Sequence, residues 1–122
     1  MATSTFLLVN VSANHTVVVT NTNPQGWVFF QEIPIGSGQF VEGPGTPPAG
    51  TGSAELTIDS TGREILTNAQ FAGTRLDNIT TLSYWTNGSS NLLAPSLQFE
   101  VDSDLTDANN AFQGRLVFEP YM

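Results

Sequence analysis

The sequence contains no cysteine and no lysine, and its 122 residues include a single histidine, His15. A chain without cysteine has no disulfide bonds, no thiolate nucleophile and no zinc–thiolate site. Arg63, Arg75 and Arg115 stand against eleven acidic residues, which gives a net charge of −8. Nucleic acids and anionic membrane surfaces are bound through clustered lysine and arginine, so the composition predicts neither as a partner.

The residue types that carry most enzymatic chemistry are also scarce. His15 lies in an expected hairpin turn, with no second histidine in the chain and no carboxylate close in sequence, so neither a metal ligand nor a catalytic base is indicated. No serine stands in a nucleophile-elbow motif. We therefore predict that the protein is not an enzyme.

Long apolar runs are absent as well. No run approaches the roughly 20 residues that cross a membrane as a helix, so no membrane insertion is predicted. The first eleven residues lack the basic segment of a signal peptide, and their apolar run is too short. Charged residues make up only 11% of the chain, so neutral polar residues must cover the surface. Such surfaces are common on extracellular β-proteins, and we expect an extracellular or particle-surface location.

What the sequence does contain is β-branched and aromatic residues, separated by turns rich in Gly, Pro and Asn. We predict one domain over 1–122, an antiparallel β-sandwich of about nine short strands, because turn signals recur every 8–12 residues or so. The strands are expected at 6–11, 16–20, 27–31, 39–42, 54–59, 63–67, 80–86, 96–105 and 115–119. A long loop is expected over 43–52 and one helical turn over 76–79.

A series of short motifs carries a resemblance to a known family. The motifs are GWVFF at 26–30, FVEGPGTPP at 40–48, GTGSA at 50–54, FAGTRL at 71–76, LSY at 82–84, LQF at 97–99 and QGRLVFEPY at 113–121. In this order they resemble an uncharacterised family of bacterial extracellular β-domains, itself similar to jelly-roll and carbohydrate-binding sandwiches. The resemblance spans roughly Val17 to Tyr121. It implies a jelly-roll-like fold and no assigned catalytic residue.

The resemblance also implies a difference at the C-terminus. Family members continue beyond the Glu-Pro-Tyr motif with Trp-rich segments and a closing strand, whereas this sequence ends at Met122. An open sheet edge is then expected, and exposed edges tend to pair with another strand. Either the segment 3–11 or a neighbouring subunit could supply that strand. Self-association is therefore the expected partnership.

Four oxygen-bearing side chains lie close together in the sequence, namely Asp102, Asp104, Asp107 and Asn109. Oxygen ligands at such spacing suit a calcium ion, although the pattern is not that of an EF-hand. The alternative is a solvated strand face that ends in an Asx-rich turn, with Arg115 on the partner strand offsetting the negative charge. A glycosidase pair of carboxylates fits the spacing too, but so would nearly every strand with alternating acids.

Trp85 is the second candidate. On a strand over 80–86 it shares a face with Thr81 and Ser83, which are polar, so an exposed indole is expected there. An exposed Trp near Asn87 and Asn91 suits the stacking and hydrogen bonding of a sugar. The alternative is a Trp covered by a loop or folded over the sheet edge. Trp27, in an all-apolar run, is expected in the core.

Two functions follow from these features. The first is a structural or adhesive subunit that associates through its sheet edges, as the neutral surface, the absent catalytic residues and the C-terminal difference suggest. The second is a carbohydrate-binding module, with Trp85 at the site and calcium as an assisting ion. A glycan is the partner in that second case.

Overall fold

The computed structural model describes residues 2–5, 16–88, 94–109 and 112–119. These residues form eight strands: β1 (Ala2–Thr5), β2 (Trp27–Ile33), β3 (Gly36–Glu42), β4 (Gly52–Ile58), β5 (Arg63–Asn68), β6 (Trp85–Gly88), β7 (Leu97–Val101) and β8 (Gly114–Phe118). Two short 3-10 turns lie at Ala69–Phe71 and Leu76–Asn78. No described residue is in an α-helix. The all-β class predicted from the sequence is confirmed.

Every strand pairing in the described ranges is antiparallel, also as predicted. The strands form a four-stranded sheet in the order β3-β4-β1-β6, a two-stranded β2–β5 sheet and a two-stranded β7–β8 hairpin. The described strands do not close into a barrel. Each of the three sheets therefore ends in strands whose outer edges have no partner among the described strands.

Several expected strands differ from those observed. The strand expected at 6–11 lies outside the described residues. The prediction of a strand at 16–20 is wrong: Thr20 and Asn23 close a turn through reciprocal backbone hydrogen bonds of 3.0 and 3.1 Å, and no strand of the described ranges pairs with 16–20. The strand expected at 80–86 begins only at Trp85. The strand expected at 96–105 ends at Val101, because a chain of turns starts at Asp102.

The β2–β5 sheet packs on the four-stranded sheet through a small aromatic contact. The rings of Phe29 on β2 and Phe40 on β3 lie 4.9 Å apart, beside Ala54 on β4, which is only 2% exposed. A second aromatic contact joins Trp27 to Phe71, with ring centroids 6.3 Å apart. Trp27 is half-buried rather than fully enclosed. The core between the two sheets is thus narrow.

Two turns carry the chain between these sheets. The first joins β2 to β3 and contains Pro34, which has no amide hydrogen to donate to a strand ladder. The second joins β4 to β5, where Asp59 Oδ1 accepts hydrogen bonds of 2.8 Å from the amides of Thr61 and Gly62. These amides hold the pKa of Asp59 below its usual value. Both turns put consecutive strands into different sheets.

The segment 43–51 is a loop, as expected from its Gly and Pro content. The Gly43 amide donates to the Thr51 carbonyl at 2.9 Å, and the hydroxyl of Ser53 donates to the Gly43 carbonyl. Ser53 is 7% exposed because the loop base covers it. The loop is therefore tied at its base to the end of the β3–β4 pair.

Candidate functional site

One face of the four-stranded sheet carries a row of polar positions that crosses all its strands. Gln39 on β3 is in register with Glu55 on β4, Glu55 with Thr3 on β1, and Thr3 with Asn87 on β6. The Gln39 amide donates to Glu55 Oε1 at 2.8 Å. Trp85, two residues before Asn87 on β6, shares its face and is 45% exposed. We call Gln39, Glu55, Asn87 and Trp85 the polar platform.

The polar platform brings together two residues expected from the sequence and two that sequence reasoning missed. Trp85 and Asn87 are exposed on one strand face, whereas Asn91 lies outside the described residues. Gln39 and Glu55 were not candidates, because they are 16 positions apart and only the strand register aligns them. Stacking of a sugar needs an exposed aromatic ring beside a hydrogen-bonding group. The exposed indole of Trp85, on the same face as the Asn87 amide, meets this requirement.

The acidic cluster forms a series of local turns. The Asp102 carboxylate accepts from the Asp104 amide at 3.0 Å, Asp104 from the Thr106 amide at 2.9 Å, and Asp107 from the Asn109 amide at 2.9 Å. Each bond joins a carboxylate to the backbone two residues on, which is the Asx-turn pattern. The Thr106 hydroxyl and amide hold the pKa of Asp104 below its usual value.

This geometry favours the turn interpretation of the cluster over the calcium interpretation. Within the described ranges no three His, Cys, Asp or Glu side chains are grouped so as to hold a metal ion. Gln113 adds to the local network, since its Oε1 accepts from the Ser103 and Asp104 amides at 3.1 and 2.8 Å. One carboxylate oxygen each of Asp102, Asp104 and Asp107 thus has a backbone partner at 104–109.

The β7–β8 hairpin separates apolar from charged side chains by face. Its register places Leu97 opposite Phe118, Phe99 opposite Leu116 and Val101 opposite Gly114. The five apolar side chains of these pairs share one face, which we call the hairpin face. Leu116 is 49% exposed and Phe118 57% exposed. The strand pairing of the 97–101 and 115–119 regions agrees with the sequence prediction.

The opposite face of the hairpin carries its charges. Arg115 Nη2 lies 2.9 Å from Glu100 Oε1, and the Arg115 guanidinium lies 5.9 Å from the centre of the Phe112 ring. Val117 shares this face with Arg115 and is 50% exposed. Arg115 therefore pairs with Glu100 across the ladder and not with the acidic cluster, whose negative charge the sequence predicts it to offset.

Tyr84 borders the hairpin face at one end. Its ring meets the ring of Phe118 edge-on, with centroids 6.1 Å apart, and its hydroxyl donates to the Pro95 carbonyl at 3.1 Å. Burial, with a smaller contribution from Glu119, raises the pKa of the Tyr84 phenol. Phe118 keeps more than half of its surface exposed despite this contact, so Tyr84 covers only a corner of the face.

A second apolar surface lies on the outer side of the β2–β5 sheet. Val28 and Phe30 on β2 are 57% and 54% exposed, and Phe30 is in register with Ile65 on β5. Arg63, on the same side of β5 as Ile65, forms an ion pair of 2.7 Å with Glu32. This surface is therefore apolar at its centre and charged at one end.

The inner side of the same sheet holds a carboxyl group between the two sheets. Glu64 on β5 projects toward β3, where its Oε1 and Oε2 lie 2.8 and 3.2 Å from the positions that β-carbons would occupy at Gly38 and Gly36. Glu64 Oε2 is buried and has no hydrogen-bond partner among the described residues. Burial raises the pKa of Glu64.

None of the helical turns in the described residues is long and apolar enough to cross a membrane. No protein-family model, no curated protein and no solved structure matches this chain.

Proposed function

We propose that this chain is a non-catalytic extracellular or particle-surface β-module, a structural or adhesive subunit that associates with other copies through its open sheets. One observation carries the proposal: the described chain leaves much of its large apolar surface uncovered. Thirteen large apolar side chains in the described ranges are exposed. The only buried residues in these ranges are Ala54 and Ser53. Monomeric soluble proteins rarely expose large contiguous apolar surface unless it binds something.

The strand edges support the same proposal. The β7–β8 hairpin and the β2–β5 sheet each have two strands, and a two-stranded sheet is at best marginally stable on its own in water. Neither β7 nor β8 contains proline, and each carries one charged residue, so their edges lack most of the features that prevent pairing. Addition of strands from a second copy would complete such sheets.

The finer architecture is part of the proposal. The resemblance to bacterial extracellular β-domains supports a jelly-roll-like sandwich, in which further strands would close the sheets described above. The packing of the β2–β5 sheet on the four-stranded sheet through Phe29 and Phe40 is what such a sandwich requires.

The test is the solution mass of the purified chain, measured by size exclusion with light scattering over a concentration series. A mass that rises above 13.1 kDa with concentration supports assembly. A mass of one chain at every concentration would overturn the proposal.

A second function, the binding of a neutral glycan, is favoured by the polar platform. Trp85 supplies an exposed ring, while Gln39, Glu55 and Asn87 supply hydrogen-bonding groups on the same side of the sheet. In an oligosaccharide array with and without calcium, Trp85→Ala should lose binding and keep its assembly. Phe112→Ala is the matched control, since Phe112 is an exposed aromatic residue away from the platform. No binding by the parent chain would reject this function.

A further inference from the structure

We propose that the first strand, β1, is exchanged between copies of this chain, so that β1 of one molecule fills the place between β4 and β6 in the sheet of another. The inference rests on the proposed assembly function and assigns the association to one strand. The sheet order β3-β4-β1-β6 puts β1 between two strands that come much later in the sequence. A second copy can therefore supply this strand through the same pairings that the chain makes with its own β1.

The place of β1 is defined by backbone pairing on both of its sides. Thr3 is in register with Glu55 on β4 and with Asn87 on β6. Without β1, β6 has no partner among the described strands, and the edge of β4 opposite β3 is open. Two such edges form a slot for one extended strand, which we call the β1 slot. The strand that fits the slot is the one that occupies it, so its partner of choice in another molecule is a second β1.

The connection from β1 to the rest of the chain is long enough to reach a neighbouring molecule. Residues 6–26 separate β1 from β2, and the Asn21 side chain donates to the Phe40 carbonyl on β3 at 3.1 Å. Fully extended, the segment 6–20 between β1 and this anchor spans about 50 Å. β1 can therefore enter the slot of a second copy while Asn21 stays on its own β3.

Charge favours β1 over the rest of the molecule as the exchanged element. The first 31 residues contain no Asp, Glu, Lys or Arg, so the net charge of −8 belongs entirely to residues 32–122. Two copies of that acidic part repel each other at short range, whereas repulsion is largely screened beyond about 8 Å at physiological ionic strength. An uncharged strand on a longer connection meets less repulsion than direct contact between the acidic parts does.

Concentration sets the balance between a molecule's own β1 and that of a neighbour. The strand pairs are the same in both cases, so the difference lies in the connection, whose effective concentration is on the order of millimolar when it is short and flexible. Dilute protein should therefore keep its own strand. Exchange should become common where copies are crowded together, as they are on a surface.

Paired cysteines test the exchange, because the chain has no cysteine of its own. Thr3→Cys and Asn87→Cys are made as separate proteins, mixed at high concentration and oxidised. Directly opposite residues of antiparallel strands have Cα atoms about 4.5–5.5 Å apart, which suits a disulfide. Intact mass measurement should find a disulfide-linked pair that contains one chain of each kind.

Gln39→Cys is the matched control for Asn87→Cys. Gln39 is exposed on the same face of the sheet, but β3 lies two strands away from β1. At about 4.8 Å per strand, its Cα is about 10 Å from that of Thr3, which is too far for a disulfide. Mixed with Thr3→Cys, it should give at least about ten-fold less linked pair than Asn87→Cys does. Equal yields from the two mixtures would overturn the inference.

A locked variant separates this inference from the function on which it rests. Oxidation of Thr3→Cys/Asn87→Cys at high dilution should form a disulfide within one chain and hold β1 in its own slot. The locked protein should keep the mass of one chain, 13.1 kDa, at concentrations at which the reduced protein associates.

Equal association of the locked and reduced proteins would show that assembly uses another contact. Failure to form the internal disulfide would show that β1 does not lie beside β6, and either result would overturn the exchange. A parent chain that stays monomeric at every concentration would overturn the assembly function itself.

Discussion

The ring of Phe29 on β2 lies directly over Gly38 on β3, so close that a β-carbon at Gly38 would overlap the ring. This contact lets the two sheets approach and brings Phe29 within 4.9 Å of Phe40. Ala54 is the only fully buried apolar side chain of the described ranges. The narrow core therefore depends strongly on the contact between Phe29 and Gly38.

Gly38→Ala should therefore destabilise the fold by about 1–3 kcal/mol, the usual cost of overpacking, because Phe29 must leave its position. The measurement is the free energy of unfolding from urea titration. Gly114→Ala is the control, since a β-carbon at Gly114 would meet its nearest neighbour, in Val101, at an ordinary 4.0 Å. Equal stability of Gly38→Ala and the parent chain would show that the Phe29 contact contributes nothing.

Glu64→Gln should make stability less dependent on pH. Burial raises the pKa of Glu64 in the folded chain above its unfolded value, so the stabilising contribution of the protonated group is complete below the unfolded pKa. It is lost as the pH rises through the folded pKa. Glutamine mimics the protonated acid, so the variant should exceed the parent in stability at neutral pH and match it below roughly pH 4.

The buried, unpartnered Glu64 Oε2 suggests a difference on the order of 1 kcal/mol at neutral pH. Urea titrations across the pH range would measure it. Glu42→Gln, at an exposed position on β3, controls for the loss of one negative charge. Parallel pH profiles for parent and Glu64→Gln would contradict the prediction.

Asp104→Ala should lower the melting temperature at neutral pH, because Asp104 accepts from the Thr106 amide and hydroxyl. Its pKa is lowered in the folded chain, so its contribution is present above the unfolded pKa and lost as the pH falls through the folded pKa. Asp104→Asn keeps an acceptor and should lose less. Added calcium or a chelator should leave the melting temperature unchanged, and a calcium-dependent rise would restore the metal-site hypothesis.

Association should strengthen with salt and with acid. At about 1 M salt, electrostatic repulsion between exposed charges is screened beyond roughly 3 Å, and near the isoelectric point of about 4.1 the carboxylates lose most of their charge. Light scattering at rising salt, and solubility between pH 7 and pH 4, would measure this. A mass and a solubility that stay flat under both treatments would contradict the role assigned to net charge.

The strands with the clearest patterns were predictable. The alternation at 97–101 lies in an observed strand, because successive side chains of a strand project from opposite faces. The apolar run at 27–30 also lies in an observed strand, although it has no such alternation. The segment 16–20 has the same β-branched composition, yet it is not a strand. Composition favours extended backbone, but a strand needs a neighbour to satisfy its hydrogen bonds.

In the candidate sites, too, contacts between residues close in sequence could be predicted, and contacts between distant residues could not. The local chemistry around Asp102–Asn109 was open to three interpretations, and the Asx turns that form there involve residues only two positions apart. The platform residues Gln39 and Glu55 could not be foreseen, because their contact depends on the register of β3 with β4.

The sequence by itself determined the all-β class, the antiparallel pairing of the last two strands and the absence of thiol chemistry. These follow from residue type and local period, which act over a few positions. Only the tertiary structure decided which face of the hairpin is free of charge, that the Oε2 atom of Glu64 is buried, and that Trp85 shares a sheet face with Gln39 and Glu55. Those relationships depend on strand register and sheet packing, which join residues that are distant in sequence.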